Sequence, residues 1–513
     1  MVTTPKGALH ALCIVIYCAV PGIAATLEIS TGSQSTDALH LSGARARRQL
    51  IVTETHDTIH DVTSITTWRV EPSSLAIVEQ GGMVIPQSNG TGTIIATVPN
   101  HKDITVPLVI DQFGNDPPLD FVSQIVPIFT KHGCNGGGCH GKSGGQNGFR
   151  LSLLGFEPHE DYEHLVKESR GRRLSLVAPS TSLLLLKAAA SVPHGGGKLI
   201  EPDSPSHQML SQWISEGARP SGPNPPQVSH IDVFPKERTM HAGHSQQLRV
   251  LAHYADGHIE DVTRLAQYET NAPDLADVDA LGMVKAHEHK DGQSQCGTAG
   301  VMIRFQSHVA VFRGTLPLDT PIEHMPPRDT FVQNVIDDHV YTHLTKLRLP
   351  PSAICDDATF LRRVTLDIAG RLPTPNETID FLNDDTNTKR GALVDRLLDS
   401  DDYTNYFALK WSAILRNKRT NDELHRNGTY AFHEWIRHSL AENKPYCDFV
   451  YDILTATGDV STTPPVIWYR QVSDINQQAE DASQLFMGVR LQCARCHHHP
   501  FEKWGTDDYF QLA

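Results

Sequence analysis

Two stretches of the sequence set a pair of thiols beside an imidazole. The first reads Cys134-Asn135-Gly136-Gly137-Gly138-Cys139-His140-Gly141, and the second Cys493-Ala494-Arg495-Cys496-His497 followed by His498, His499 and Pro500. Two thiols that add across porphyrin vinyl groups, with an adjacent imidazole that reaches the iron, are the parts of a covalent haem c site. The second stretch has the usual two-residue gap. The first has four residues, a rarer arrangement, and its three consecutive glycines are expected to let the loop bring both sulfurs to one porphyrin edge. Other chemistry fits the same residues. Cys134 and Cys139 would also make a disulfide, or a zinc site with His132 or His140. Cys493 and Cys496 with two of His497, His498 and His499 would make a Cys2His2 zinc site, and a disulfide remains open there too.

An iron held by His140 needs a ligand on its other face. His194 lies in Pro193-His194-Gly195-Gly196-Gly197, where glycines allow close approach to a flat ring. Met209 is the other candidate, but it falls in register with a core stripe and is more simply explained by packing. Arg172 and Arg173 are candidates to pair with haem propionates, against the simpler reading of a solvated basic patch. The elements that must position these residues are helical. Phe121, Ile125, Ile128 and Phe129 form an apolar stripe leading into the Cys loop, and Met209, Leu210, Trp213 and Ile214 form a closing helix before Gly217. A helix, a Cys-Cys-His loop, a middle segment and a closing helix within 119–220 make up a small all-α, cytochrome c-like domain. After His497 only 16 residues remain. A second ligand there must come from the helical region before it, or the natural chain continues past Ala513.

An offset of 200 residues exposes a repeat on either side of that domain. Asp61-Val62-Thr63 matches Asp261-Val262-Thr263, Leu75-Ala76 matches Leu275-Ala276, and Gly82-Met83-Val84 matches Gly282-Met283-Val284; nine of the 24 positions from 61 to 84 are identical, far above chance. Alternating runs such as Ile94-Ile95-Ala96-Thr97-Val98 predict β-sandwich modules at 40–112 and 228–316. Pro-rich stretches around Pro117, Pro223 and Pro317–Pro327 mark the boundaries. From 329 to 513 the apolar spacing becomes three to five, as in Phe360, Val364 and Ile368, and predicts a mainly helical domain, with Pro373, Pro375 and Pro445 as stops between helices. The chain therefore reads as multidomain: β-sandwich modules alternating with an all-α domain and ending in a mainly α one.

Composition narrows the partners. The 513 residues carry a net charge of −15 with no long basic run, which argues against nucleic acid. Residues 1–25 run from Lys6 through an apolar stretch to Ala24-Ala25, the pattern of a secretory signal peptide, and no apolar segment long enough for a membrane span follows. The protein is expected in the periplasm or on the cell surface. Removing the signal leaves seven of nine cysteines, an odd number, so spacing explains them better than a disulfide framework does.

The repeat resembles group-2 bacterial Ig-like modules, in which "DVT" and "G-x-V" recur. The chain as a whole is similar to exported planctomycete-type surface proteins that combine such modules, a cytochrome c-like segment and a conserved helical domain of unknown function. The residues that carry this are Gly133-Cys134-Asn135 to Cys139-His140-Gly141, Gly148-Phe149-Arg150-Leu151, Pro193-His194-Gly195-Gly196, Phe360-Leu361-Arg362-Arg363 with Gly370-Arg371-Leu372-Pro373, and Gly488-Val489-Arg490-Leu491-Gln492-Cys493 to Cys496-His497 with His499-Pro500-Phe501. The resemblance implies architecture more than activity, and a chain that normally continues past the last motif. Three functions compete. One is electron transfer through one or two haems, with Cys134, Cys139, His140, His194, Cys493, Cys496 and His497 as cofactor residues, His140, His194 and His497 binding iron, and a redox protein as partner. The second is a structural or adhesion role against a cell-surface polymer. The third is an exported enzyme, for which no catalytic residue is assigned: Asp356, Asp357, Arg362, Arg363 and Asp367 read as a solvated helix face.

Overall fold

A computed structural model describes residues 26–32, 38–56, 58–142, 144–223, 225–288, 295–318, 325–419, 423–495 and 504–513. The expected signal segment, 1–25, lies outside the described residues. The chain divides into two compact units at Pro350/Pro351.

The first unit holds two sandwich-like β modules. One runs β1 Thr26–Ser30, β2 Leu39–Ser42, β3 Arg48–Gln49, β4 Ile51–Thr55, β5 Ile59–Asp61, β6 Thr67–Glu71, β7 Ala76–Val78, β8 Met83–Pro86, β9 Gly90–Thr97 and β10 Ile104–Asp111. The other runs β11 Val228–Phe234, β12 Glu237–Thr239, β13 Ser245–Gln247, β14 Arg249–Tyr254, β15 Ile259–Asp261, β16 Gln267–Thr270, β17 Ala276–Val278, β18 Met283–Ala286, β19 Gly297–Phe305 and β20 His308–Leu316. The sheet orders are β1-β4-β5, β2-β10-β9-β6 and β3-β8-β7 in one, and β11-β14-β15, β12-β20-β19-β16 and β13-β18-β17 in the other. The two modules correspond strand for strand. Alternation puts Leu39, Leu41, Val106, Leu108 and Ile110 inside the first, and Val301, Ile303, Phe305 and Phe312 inside the second.

The repeated Asp-Val-Thr has one role in both modules. Asp61 Oδ1 accepts the Thr63 N–H at 2.7 Å, Thr63 Oγ1 accepts the Val52 N–H at 2.9 Å, and Val62 is buried between them. Asp261, Thr263 and Val262 repeat this, with distances of 3.0 and 2.9 Å. The second carboxylate oxygen crosses to the other module. Asp61 Oδ2 accepts the Gln247 N–H and the Gln246 side-chain amide, both at 2.7 Å, while Asp261 Oδ2 accepts the Gln49 N–H at 2.6 Å. Each repeat thus uses the same residue on the same partner strand, the logic of a two-fold interface within one chain. Arg249 adds bonds to Ser30 O and Oγ at 2.7 and 3.0 Å, and Arg264 pairs with Glu79 at 2.9 Å.

Between the modules in sequence lies a helical segment. A π-turn, Phe121–Ile125, leads into α1 (Val126–Lys131), followed by α2 (Pro158–Tyr162), α3 (Leu183–Ala188) and α4 (Pro205–Ser215). Asp120 caps the entry by accepting the Ser123 N–H, and Ser204 caps α4 through the His207 N–H. Gly217, at φ +96°, turns the chain after α4 in the left-handed region that glycine favours. The expected stripes meet: Phe121, Ile125, Ile128 and Phe129 pack with Leu210, Trp213 and Ile214, and the Phe121 and Trp213 rings are 5.3 Å apart. Truncating a side chain such as Trp213 in this core costs about 3–5 kcal/mol. The segment's ends are tied together, Leu119 N–H to Glu216 at 2.7 Å and Val122 N–H to Ser221 at 3.0 Å. Lys131, the last residue of α1, donates to Arg264 O and Ala280 O of the second module, both at 2.6 Å.

After the modules come α5 (Arg328–Phe331) and α6 (Val335–Leu347); the second unit is helical, with α7 (Asp357–Ala369), α8 (Pro375–Asn383), α9 (Lys389–Leu398), α10 (Asp401–Ile414), α11 (Glu423–Ala441), α12 (Tyr446–Leu454), α13 (Ile467–Gln471), α14 (Ile475–Ala482) and α15 (Thr506–Leu512). Phe432, Ile436, Ile453, Ile467 and Trp468 form its largest core. Pro375, expected as a stop, instead begins α8 at its first position, where the missing N–H costs nothing, inside a capping box of Thr374 and Glu377. Arg362, Arg363 and Asp367 face solvent. Among the described residues no helix is long and apolar enough to cross a membrane.

Candidate cofactor site

The first Cys loop begins where α1 ends. The Cys134 N–H closes on Phe129 O at 2.8 Å, the His140 N–H on Cys134 O at 3.0 Å, and the Leu151 N–H on His140 O at 2.8 Å. The crowded glycine is Gly141, where a Cβ would lie 1.9 Å from Asn135 O. At Gly137 the nearest atom would be 3.8 Å away, and at Gly138 none is within 4 Å. The tightest return of the loop is therefore at the glycine after His140; within the Gly136–Gly138 run only Gly136 is close-packed, where a Cβ would lie 3.2 Å from Gly133 O. Cys134 and Cys139 are both free thiols, and burial pushes Cys134 up to about 12, so it stays protonated.

His140 and His194 face one cavity. Their ring centres are 6.3 Å apart and their planes are parallel within 8°. The His140 Nδ1 bonds Phe149 O and the His194 Nδ1 bonds Gly197 O, each at 2.9 Å. A carbonyl only accepts, so in both rings Nδ1 carries a proton, and in the neutral ring Nε2 is the nitrogen with the lone pair. Backbone anchoring of one ring nitrogen is how proteins orient a metal-binding histidine. With metal–nitrogen bonds of about 2 Å and each nitrogen about 1 Å from its ring centre, two imidazoles on opposite sides of one ion would have centres about 6 Å apart. Burial lowers the His140 pKa, which favours the neutral, metal-binding form.

The cavity measures about 650 Å³ and is lined by both thiols, both imidazoles and an apolar wall that includes Phe129, Leu151, Leu165, Leu184, Leu199 and Leu210. That volume lies within the range of cofactor pockets. The donor set, anchored imidazoles and apolar wall fit a haem. Met209 packs against the core of the segment and is not among the cavity's lining residues. His132 pairs with Ser206 Oγ at 3.0 Å and does not line the cavity either. Arg173 is buried and committed to backbone, donating to His164 O at 2.6 Å and Gly148 O at 2.8 Å, with its guanidinium 4.6 Å from the Phe149 ring centre. Both arginines line the cavity, but Arg172 is exposed, so of the two it is the one placed to meet an acidic group at the mouth.

In the second cluster, Cys493 sits half-buried in a 3-10 turn, Leu491–Arg495. Cys496, His497, His498 and His499 lie outside the described residues. Among the described residues, two further histidine groups come together that sequence spacing does not show. His60, His241 and His244 meet where the β modules join, with ring centres 5.1–5.8 Å apart. His230, Asp232 and His253 bring one ligand atom each within 4.8 Å of one another. In sequence the second group shows only a His-x-Asp; its third member arrives through strand register.

The class that fold and site define is a multidomain chain of sandwich-like β modules and helical segments carrying a two-thiol, two-imidazole cavity. Residues 335–513 match the family described as PSCyt2, a protein of unknown function (DUF1549). No curated protein matches the chain. Similar solved structures include the S-layer protein SbsC, domains 5–6, at 12% identity over 58% of this chain and 100% of that one, TM-score 0.23. SbsC domains 4–9 align at 11% identity over 57% of this chain and 32% of that one, TM-score 0.22. The N-terminal Ig1–2 module of the Drosophila receptor protein tyrosine phosphatase DLAR aligns at 6% identity over 56% and 97%, TM-score 0.12. At such TM-scores the likeness carries no inference.

Proposed function

We propose that this is an exported c-type haem protein of the cell surface or periplasm that transfers electrons, with 119–220 as a cytochrome c-like domain and the β modules as Ig-like spacers. The observation that carries the reading is the pair His140 and His194, both anchored through Nδ1 with ring centres 6.3 Å apart in the cavity that holds Cys134 and Cys139. A bound haem c supplies a one-electron couple. Around it, Cys134 and Cys139 would supply the thioether sulfurs, His140 and His194 the iron-binding nitrogens, and Arg172 a cation at the mouth. The apolar wall excludes water and so sets a low dielectric around the buried charge.

Haem staining after denaturing electrophoresis, with an absorption spectrum of the exported protein, tests this. A stained band whose haem content falls by one equivalent in Cys134→Ser/Cys139→Ser is expected; a colourless wild-type band overturns the reading. His194→Ala is expected to turn a low-spin spectrum high-spin, and Met209→Ala to leave it unchanged. A surface structural role is the second reading. The reciprocal Asp61/Asp261 contacts favour it, because they join the β modules without any cofactor.

A further inference from the structure

We propose that His230, Asp232 and His253 bind a divalent transition-metal ion, such as zinc, on the outer face of the β11-β14-β15 sheet. His230 and His253 are directly opposite across β11 and β14, and Asp232 follows two residues on. A register shift between Val228 and His230 turns both Ser229 and His230 outward, so His230 and Asp232 share the face that His253 also occupies. The two rings lie parallel within 8°, centres 4.3 Å apart.

The hydrogen bonds fix which nitrogen faces the carboxylate. Ser229 Oγ donates its single proton to His253 O at 2.9 Å, so its 3.1 Å contact with His230 Nδ1 is one it accepts. His230 Nδ1 therefore carries a proton, and in the neutral ring Nε2 presents a bare lone pair to Asp232 Oδ2, 3.7 Å away. Two lone-pair-bearing atoms this close repel, and a positive centre shared between them, either a proton or a metal ion, relieves that. His253 Nε2 is 3.2 Å from the same oxygen. A tetrahedral zinc ion with bonds of about 2.0–2.1 Å separates its ligands by about 3.3 Å. One edge of the triangle, at 3.2 Å, already has that length; the second, at 3.7 Å, is somewhat longer, and it and the third, within 4.8 Å, close by side-chain rotation. Lys236 approaches the other carboxylate oxygen, Oδ1, at 3.5 Å and leaves Oδ2 to the ion. Two imidazoles and one carboxylate suit zinc, cobalt, nickel or copper better than calcium or magnesium, and leave a fourth position for water. The ion would clip β11 to β14.

The test is independent of haem. The purified full chain, stripped with a chelator, is titrated with Zn²⁺ and bound metal is counted by mass spectrometry. The Cys-Cys-His clusters can also take zinc, so the readout is a difference: His230→Ala, His253→Ala and Asp232→Asn should each bind one equivalent less than wild type, with haem absorbance unchanged. Zn²⁺ should raise the unfolding midpoint of wild type by more than that of Asp232→Asn, which keeps the side chain's shape if either histidine variant misfolds. Equal stoichiometry in wild type and the foldable variants overturns the proposal. So does a wild-type His230 imidazole whose nuclear resonance titrates with pH and ignores Zn²⁺, since a proton then fills the gap.

Discussion

Asp61 accepts the backbone N–H of Gln247 at 2.7 Å, joining two modules whose matching residues lie 200 positions apart in the sequence. The reciprocal bond from Gln49 to Asp261 makes the junction symmetric. Each carboxylate also holds its own Thr63 or Thr263, so removing it leaves N–H groups unpaired on both sides. Asp61→Ala or Asp261→Ala is expected to cost about 1–3 kcal/mol in chemical denaturation. The double variant should depart from additivity, because both residues serve one interface. Additive single costs would mean the seam is not a cooperative unit.

Gly141→Ala should open the Cys loop, since its new methyl would lie 1.9 Å from Asn135 O. Protease sensitivity of the 134–141 loop is the measurement, with at least a several-fold faster cut expected. Gly137→Ala and Gly138→Ala, which meet nothing closer than 3.8 Å, should behave as wild type.

Asp161 bonds Ser152 Oγ at 2.8 Å and the Ser152 N–H, and burial pushes its carboxyl up to about 6. Its unfolded value is about 3.9, so the folded state holds the proton more tightly. This group's stabilisation is then fully present below about pH 4 and is lost as pH rises through about 6, an effect of roughly 3 kcal/mol. Asp161→Asn should flatten the pH dependence of hydrogen exchange in 119–220 over that window, after correction for intrinsic rates. An unchanged slope would assign the dependence elsewhere.

In the helical unit, Arg371 forks onto both oxygens of Glu377 at 2.9 Å and reaches Asp402 at 2.7 Å, while Glu377 accepts the Thr374 N–H at 2.7 Å. The guanidinium holds the Glu377 carboxyl down at about 2. A lowered carboxylate pKa stabilises the fold above the unfolded value near 4.3 and loses that contribution as pH falls toward 2. Partial exposure limits the effect to about 1 kcal/mol. Glu377→Gln should remove the acid-limb dependence of the helical unit's melting, and Arg371→Lys should lose the fork and lower the midpoint.

Much of this was legible in the sequence because it is local. Stripes such as Phe121-Ile125-Ile128-Phe129 report a buried face whatever that face meets, and the Asp-Val-Thr repeat marked two copies of one module. The seam was not legible: Asp61 looks like any turn aspartate until its second oxygen finds Gln247. Thr374-Pro375-Asn376-Glu377 carried a capping box in plain view, but reading Pro375 as a stop hid a helix start. At the candidate site, Cys134, Cys139, His140 and His194 stand out by residue type and neighbouring glycines, whereas the loss of Arg173 to backbone carbonyls and the crowding at Gly141 against Asn135 O are decided by how the loops fold back on themselves. His253 joins His230 only through pairing of two strands, which no spacing rule reveals.

The ends of the 119–220 segment are tied to each other by Glu216 and Ser221, and the β modules on either side grip one another directly. The peptide between them is therefore not what keeps those modules together. A single proteolytic nick within the insert would leave one noncovalently joined particle, and its two fragments should separate only when the clasp at Asp61 and Asp261, the Arg249 and Arg264 contacts and the insert's own core are all undone.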